Sequence, residues 1–333
     1  MKKKLTPLRL PALCLAALLA LSGCGATATS ETTSQADSAA VSSSAATQST
    51  VATPEQTGET RTISTVMGDV EIPANPQRVA CYTWAGDLVS LGITPVISND
   101  ADLASMSEVL AGTQKSLFEN PEEIMAADPD LIIIRDKDDY ETYSKIAPTL
   151  VVEYDTPLEE RMAFFGEVFG LEDKAQELLD AFHAKVERYV QDFKDKGLYG
   201  KTVVIAFPNE NSVWVYGDDF GFGGQLLYPT LGFQVTDLVQ EKLIDTKEQR
   251  GEISWELVND YLDADFIEIY LPDAALQTML DNNDVWQAVP AVKNGNIITY
   301  DSQYDRKSLY VMDKALDSYH DQFMALADRE TNE

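Results

Sequence analysis

Aromatic and arginine side chains at predicted strand ends are the residues of this chain best suited to chemistry, and that chemistry is ligand binding. Trp84 lies just past an apolar run that ends at Tyr82, and Arg135 directly follows one that ends at Ile134. Ligands of open α/β sheets bind beyond the carboxyl ends of the strands. There an aromatic face and a guanidinium can hold a bulky, oxygen-rich molecule. For Arg135, a buried ion pair or surface salt bridge is the alternative, with Asp136, Asp138 and Asp139 as neighbouring carboxylates.

The histidine content argues against a metal site or a hydrolase site. The chain has two histidines, His183 and His320, and each lies in a strongly helical, polar stretch. A zinc or manganese site draws on several His and carboxylate ligands, and a Ser/His/Asp site needs a positioned histidine. We therefore expect surface or helix-packing histidines in a binding protein that is not an enzyme, with no metal site and no cofactor.

The first two dozen residues have the form of a secretory signal. Lysines at positions 2–4 precede an apolar run over residues 10–21, which is shorter than the ~20 residues a membrane-spanning helix needs. The run ends in Leu21-Ser-Gly-Cys24, an order that resembles the lipobox of bacterial lipoproteins. This resemblance implies a lipoprotein signal peptide at residues 1–23 and a lipidated Cys24, typically carrying palmitate. An ordinary secretory signal with an incidental cysteine is the alternative.

Residues 24–60 have the composition of a disordered tether. They are rich in Ser, Thr, Ala, Gln and Gly and contain no aromatic residue, so they cannot bury enough apolar surface to offset the entropy of ordering. A flexible coil of this length has an r.m.s. reach of roughly 30–35 Å. Together with the lipid, this predicts a protein held at the extracytoplasmic face of the cell membrane. Such an anchor suits a Gram-positive cell surface, where no outer membrane would retain a free binding protein.

Acidic residues dominate the charge of the chain, with 55 Asp and Glu against 25 Lys and Arg and a formal net charge of −30. Removal of the predicted signal and its four basic residues leaves 21 against 55, a charge of −34. Nucleic-acid binding needs a basic surface, so it is excluded. Beyond Cys14 in the signal and the lipidated Cys24, Cys81 is the remaining thiol, so no intramolecular disulfide can form.

Short β-branched runs alternate with helical patterns from residue 61 to residue 328, which predicts parallel α/β sheets. The predicted strands cover residues 79–82, 94–97, 131–134, 150–153, 202–207, 213–216, 266–270 and 297–300. An almost continuous helical pattern, broken near Gly170, divides them into two sets. We therefore expect an N-terminal lobe at 61–156, a linking helix region at 157–197, and a C-terminal lobe at 198–328 that ends in a helix.

The two halves repeat one pattern. Residues 120–134 and 253–269 each read as a short helix with a glutamate in its first turn, an acidic turn and then a buried strand. The glutamates are Glu122 and Glu256. A carboxylate in a first helical turn complements the helix dipole, which is one explanation. Recurrence at the same place in both halves favours a shared, outward-facing role, and two such lobes predict a ligand held between them.

This ordered set of segments, with the lipobox, resembles the substrate-binding lipoproteins of ABC importers for iron–siderophores. The resemblance is carried by residues 72–79, 86–96, 128–132, 145–149 and 216–232. It implies an α/β fold of two Rossmann-like lobes with central parallel-rich sheets joined by one long rigid helix, the class III periplasmic-binding-protein fold that also serves vitamin B12 and haem binders. It further implies a monomer that captures a ferric siderophore and delivers it to an ABC permease.

The resemblance also implies roles for particular residues. Glu122 and Glu256 match the family's pair that docks on arginines of the permease. Trp214, Phe220 and Phe222 match the positions that face the ferric siderophore in hydroxamate binders, within the family pattern aromatic-x-Tyr-Gly-x-x-Trp-Gly-Arg-Gly. Phe222 stands where that pattern has arginine, so a guanidinium that would donate to hydroxamate oxygens is absent.

Three further residues complete the predicted ligand site. Tyr216 lies in the same segment, where simple strand packing is an equal alternative. Tyr304 and Arg306 follow the predicted strand that ends at Tyr300, near the place where the family brings an aromatic residue to the cleft. We expect a neutral or weakly anionic chelate, because few basic residues converge on the cleft. The same scaffold holding haem or a corrinoid, with tyrosine as axial ligand, and a lipid-anchored surface enzyme are the alternatives.

Overall fold

The computed structural model describes residues 59–218, 222–271, 273–304 and 307–330, with Tyr304 and Glu330 described by their backbone alone. The described chain opens with an antiparallel hairpin, β1 (Thr60–Thr65) and β2 (Gly68–Pro73). Its inward side chains, Ile63, Val70 and Ile72, are buried in the main core. This hairpin was not among the predicted strands.

The first lobe is built on a five-stranded, fully parallel sheet in the order β5-β4-β3-β6-β7. Its strands are β3 (Val79–Cys81), β4 (Ile97–Ser98), β5 (Gln114–Lys115), β6 (Leu131–Ile134) and β7 (Thr149–Val151). Its helices are α1 (Ala85–Leu91), α2 (Asp100–Ser105), α3 (Pro121–Ala126) and α4 (Tyr140–Tyr143). Every residue of β3, β6 and β7 is buried, as expected for parallel strands covered on both faces.

Two helices connect the lobes, α5 (Leu158–Phe169) and α6 (Glu172–Asp195). Helix α5 ends at Gly170, which takes the left-handed conformation with φ of 64°, where glycine meets no Cβ penalty. Helix α6 has 24 residues and is about 36 Å long at 1.5 Å per residue. The predicted helical region and its break are confirmed.

The second lobe has a five-stranded mixed sheet in the order β10-β9-β8-β11-β12. Its strands are β8 (Val203–Pro208), β9 (Ser212–Tyr216), β10 (Arg250–Ser254), β11 (Phe266–Ile269) and β12 (Ile297–Thr299). Strand β9 runs antiparallel to both of its neighbours, because a connection of only three residues joins it to β8. Ile253 and Ser254, predicted as the start of a helix, instead pair with β9.

The second sheet is covered on both faces. Its helices are α7 (Asp237–Val239), α8 (Val258–Tyr261), α9 (Ala274–Asp281), α10 (Asp284–Ala288), α11 (Pro290–Lys293) and α12 (Leu309–Glu330). One face, with Val204 and Ile267, packs in a cluster with Trp286 of α10. The other face, with Ile205, packs with Phe323 of α12. No helix within the described ranges is both long and apolar enough to cross a membrane.

Candidate functional site

Arg135 lies directly past the carboxyl end of β6, as its place in the sequence predicted. Its Nε and Nη2 donate to Oδ2 of Asp136 at 3.0 and 2.8 Å, so the local ion pair forms. Hydrogen bonding to Asp136 raises the pKa of Arg135 above its ordinary value. The same guanidinium carbon lies 5.4 Å from the ring centre of Tyr82 and 5.7 Å from that of Tyr154. Arg135 is therefore a half-buried cation framed by two aromatic faces.

A cavity of about 360 Å³ lies beside Arg135 and is lined from both lobes. Tyr154 belongs to the first lobe, and Gln249 and Lys307 come from the second. The Lys307 Nζ is 4.6 Å from the centre of the Tyr154 ring. The charged lining residues are nearly balanced, with three basic and four acidic side chains: Arg135, Lys137, Lys307, Asp136, Asp138, Glu153 and Asp155. Such a lining suits a neutral or weakly charged ligand.

A second cavity, of about 510 Å³, opens in the first lobe and shares Asp136 with the first. Its apolar wall includes Tyr82, Phe118 and Tyr143. The Tyr82 and Phe118 ring centres are 5.1 Å apart, and the Tyr143 hydroxyl donates to the Phe118 carbonyl at 2.5 Å. The two cavities together extend the possible ligand surface along the edge of the first sheet.

Trp84 lies behind the cleft surface and does not form part of it. Its side chain is 1 % exposed, and its indole N–H donates to the Val152 carbonyl at 2.9 Å. The ring stacks on Tyr154, with centres 6.0 Å apart and planes inclined by 25°. Tyr154 is 42 % exposed, so Tyr154, and not Trp84, presents an aromatic surface here. The sequence offered a sign of this role for Tyr154, because Tyr154 lies three residues past β7 just as Trp84 lies three residues past β3.

Aromatic side chains also gather in the second lobe. The rings of Phe207, Tyr216, Phe222 and Tyr300 pack against one another with centres 4.8–5.6 Å apart. Tyr216 and Tyr300 are buried, whereas Phe207 and Phe222 are partly exposed. Phe222, in the glycine-rich turn of residues 217–224, is therefore the partly exposed ring, and Tyr216 packs against it. Of the two readings that the sequence left for Tyr216, strand packing describes its position.

Trp214 lies next to this cluster. It pairs across the sheet with Phe207, it is partly exposed, and the Arg250 guanidinium lies 4.5 Å from its ring centre. The position is compatible with the ligand-facing role that the resemblance implies.

Several predicted residues lie outside the described part of the chain. These are the lipidation residue and two ligand-site residues: Cys24, Phe220 and Arg306. Tyr304 is described only by its backbone, at the end of the 3-10 turn Ser302–Tyr304. Their roles stay predictions.

A buried carboxyl group that we did not predict lies beneath the glycine-rich turn. Glu268 of β11 is 0 % exposed, and its Oε1 accepts a hydrogen bond from the Tyr319 hydroxyl of α12 at 2.6 Å. Burial raises the pKa of Glu268 to about 8. A Cβ at Gly223 would lie 1.9 Å from that hydroxyl and 3.1 Å from Glu268 Oε2, so only glycine allows the turn to approach this closely. The sequence sign of this buried carboxyl group was a glutamate, Glu268, within the otherwise apolar strand β11.

Glu122 and Glu256 occupy matching places in the two lobes. Both are exposed, and in each lobe the residue two positions later, Ile124 or Val258, is fully buried. Glu122 is in the first turn of α3, where the Asn120 side chain accepts its backbone N–H at 3.0 Å. Glu256 is in the 3-10 turn Trp255–Leu257 that follows β10. The structure thus reproduces the repeat seen in the sequence.

The two histidines pair with carboxylates on helices. His183 Nε2 is 3.1 Å from Glu159 Oε1, and His320 Nε2 is 2.9 Å from Asp192 Oδ2 while its ring stacks on Tyr189. Within the described residues, no three His, Cys, Asp or Glu side chains are grouped so as to hold a metal ion. His183 is an exposed residue of α6 and His320 packs between helices, as expected for surface or helix-packing histidines.

With the fold and the cleft described, comparison with known proteins gives the class. The chain belongs to the periplasmic binding protein family, whose model matches residues 82–304. This is a family of extracytoplasmic substrate-binding proteins and not of enzymes. The predicted two-lobed α/β fold is confirmed, with the difference that the second sheet is mixed.

Relatives named for iron–hydroxamate binding are similar to this chain. It is 28% identical over 301 residues to the iron(3+)-hydroxamate-binding protein YxeB of Bacillus subtilis (85% of this chain, 86% of the relative). It is 30% identical over 278 residues to the iron(3+)-hydroxamate-binding protein FhuD of the same organism (75% and 82%).

Solved structures agree on the fold. The binding component of a ferrichrome ABC transporter from Bacillus subtilis, a FhuD fold-family protein, superposes with a TM-score of 0.68 and 28% identity, covering 78% of this chain and 98% of that one. FhuD2 of Staphylococcus aureus with bound ferrioxamine B gives a TM-score of 0.65 at 23% identity, covering 75% and 99%.

Proposed function

We propose that this protein captures a ferric siderophore of the hydroxamate class between its lobes and delivers it to an ABC permease for iron uptake. The observation that carries the proposal is the cavity lined from both lobes, where Arg135, Tyr154 and Lys307 converge. Cations beside an aromatic wall can bind the oxygens and the carbon skeleton of one chelate together. The names of the two Bacillus subtilis relatives support the hydroxamate class.

The charge of the cleft supports a neutral or weakly charged chelate. Its lining has three basic and four acidic side chains, and the formal charge of the whole chain is −30. A triply anionic catecholate would enter this field at an electrostatic cost. Phe222, where the family pattern has arginine, adds apolar contact in place of a charge. Trp214 and Phe222, with Phe220, Tyr304 and Arg306, complete the proposed contact surface from the second lobe.

A titration of the intrinsic tryptophan fluorescence tests the proposal. Ferrioxamine B and ferrichrome should quench it at micromolar concentrations or below, while ferric enterobactin, ferric citrate, haem and cobalamin should not. Calorimetry should show that binding saturates at one chelate per chain, which is expected of a binding protein and not of an enzyme that turns its substrate over. If neither ferrioxamine B nor ferrichrome quenches the fluorescence, the proposal is refuted. Quenching by haem with a Soret band, or by cobalamin, would favour the alternative cargo.

We infer three further properties of this protein from its sequence. Cys24 is lipidated after removal of residues 1–23, and the tether runs from Cys24 to the start of β1 at Thr60. The binding protein is a monomer whose lobes are residues 61–156 and 198–328, joined through residues 157–197. Its place is the extracytoplasmic face of the membrane, within reach of the permease.

Glu122 and Glu256 are the proposed docking residues for that permease. Support comes from their exposure, their place in the first turns of matching elements, and the buried side chain that follows each of them. Two carboxylates, one on each lobe, can pair with basic side chains on the two halves of a transporter.

A further inference from the structure

A buried ion pair fastens the two lobes together behind the cleft. Arg161 of α5 donates through Nε to Oδ2 of Asp87 in α1 at 2.5 Å, and the two side chains are 2 % and 0 % exposed. The second carboxylate oxygen of Asp87 accepts the backbone N–H of Leu309 at 2.7 Å. Arg161 also donates to the carbonyls of Lys307, at 2.6 Å, and Thr156, at 2.9 Å. The connection from β12 to α12 is thereby held against the first lobe.

The two chain segments are in direct contact at this point. A Cβ at Gly86, next to Asp87, would lie 2.1 Å from the Ser308 hydroxyl oxygen. Only glycine leaves room for α1 to lie this close to the connection. A buried ion pair contributes little net stability, because desolvation offsets most of the attraction. Fixing one arrangement of the surrounding segments is its better-attested effect.

The ion pair is linked to the cleft through one indole ring. The Arg161 guanidinium carbon lies 4.1 Å from the centre of the Trp84 ring. Trp84 in turn stacks on Tyr154, whose ring faces the Lys307 ammonium in the cavity. Arg161 therefore contacts the backbone of Lys307 directly and supports Tyr154 through Trp84.

We propose that Arg161 and Trp84 are positioning residues for the siderophore site. Without touching the ligand, they fix the Tyr154 ring of the first lobe and Lys307 of the second in the arrangement that the ligand meets. Pre-organised groups lose less conformational freedom on binding, which increases affinity. This inference rests on the proposed function.

A double-mutant cycle with ferrioxamine B tests the inference. Trp84→Phe keeps a buried aromatic ring but removes the N–H bonded to Val152 and reduces the contact with Arg161. We expect Trp84→Phe and Tyr154→Ala each to raise the Kd, measured by calorimetry, about tenfold. In the Tyr154→Ala background, Trp84→Phe should have little further effect, because its action passes through the Tyr154 ring.

A matched substitution separates positioning from a general loss of packing. Trp286 is also buried, but it belongs to the cluster on the face of the second sheet that packs against α10. Trp286→Phe should leave the Kd unchanged even where it lowers the melting temperature as much as Trp84→Phe does. If Trp84→Phe folds poorly, Arg161→Lys is the second variant, because it keeps the charge but loses the planar fork. It should also raise the Kd, and part of its effect should persist without the Tyr154 ring, because Arg161 also holds the Lys307 carbonyl.

Several outcomes would overturn the inference. One is an unchanged Kd in both Trp84→Phe and Arg161→Lys. Another is an increase of the Kd by Trp84→Phe that is equal with and without the Tyr154 ring. The third is an equal increase of the Kd in Trp286→Phe. A wild-type protein that binds no ferric hydroxamate would refute the proposed function itself, and the inference with it.

Discussion

At the scale of single residues, the ion pair of Arg135 with Asp136 leaves room for its proposed binding role. Asp136 engages Nε and Nη2 through one carboxylate oxygen, which holds the guanidinium in one orientation. Arginine has five N–H donors in a rigid fork. The pair with Asp136 therefore orients the group between Tyr82 and Tyr154 and leaves donors for chelate oxygens.

Replacing Arg135 should weaken siderophore binding without unfolding the protein. Hydrogen bonds from a charged group contribute about 1.5–3 kcal/mol, so Arg135→Gln should raise the Kd for ferrioxamine B roughly 10- to 100-fold. Calorimetric titration measures this change. Arg188→Gln, which alters an exposed arginine of α6, is the control and should bind as the wild type does. An unchanged Kd in Arg135→Gln would remove Arg135 from the ligand site.

At the scale of elements, the ends of strands position the side chains of the proposed site. β3, β6 and β7 each deliver a side chain at their carboxyl ends: Tyr82, Arg135 and Tyr154 respectively. In the second lobe, a strand is tied to a helix beneath the glycine-rich turn, where Glu268 of β11 accepts the hydroxyl of Tyr319 from α12. Gly223 packs directly against this hydrogen-bonded pair. The buried carboxyl group therefore supports the turn that carries Phe222.

The raised pKa of Glu268 predicts a pH dependence of stability. Below its ordinary pKa, near 4.5, the group is protonated in the folded and unfolded states alike. Between about 4.5 and about 8, the folded state retains a proton that the unfolded state has released. The free energy of unfolding therefore falls as pH rises through this range, by up to about 1.4 kcal/mol per pH unit.

Thermal unfolding between pH 5 and pH 8.5 measures this effect. Glu268→Gln keeps an oxygen that can accept the Tyr319 hydroxyl but cannot ionise, so its melting temperature should decline less with pH than that of the wild type. Glu252→Gln changes an exposed glutamate of the same sheet and should retain the wild-type slope. Equal slopes in all three proteins would mean that Glu268 titrates normally.

At the scale of the whole molecule, the proposed ligand site and the proposed docking residues lie on separate surfaces. The cleft is lined by Arg135, Tyr154 and Lys307, whereas Glu122 and Glu256 are exposed and do not line it. Ligand affinity and transporter docking should therefore respond to different substitutions. The formal charge of −30 further favours a basic docking surface on the partner.

Charge reversal at both docking glutamates should separate the two activities. The variant Glu122→Lys with Glu256→Lys should bind ferrioxamine B with wild-type affinity but reduce uptake of ⁵⁵Fe-loaded chelate at least tenfold, because two attractive contacts become repulsive. Reversal of two other exposed glutamates, Glu141→Lys with Glu187→Lys, should leave uptake unchanged. Normal uptake by the docking variant would contradict the proposed role.

The sequence by itself determined the two-lobed α/β architecture and where several residues of the proposed site lie along its elements. The periodicity of apolar residues predicted the central strands of both sheets, the helical break at Gly170, the place of Arg135 just past β6, and the matching places of Glu122 and Glu256 in the two lobes. These features depend on neighbours within a turn or a strand, so a local pattern is enough to specify them. The hairpin of β1 and β2 and the reversed β9 escaped prediction because pairing partners are chosen by the folded chain.

Only the tertiary structure decided which aromatic residues past the strand ends are exposed and which are buried. Trp84 and Tyr154 both follow strands, yet Trp84 is enclosed because Arg161 packs against its ring. Arg161 itself meets Asp87, 74 residues away, and Lys307, 146 residues away. Burial and ion pairing at such separations arise from the packing of whole elements, and no local pattern records them.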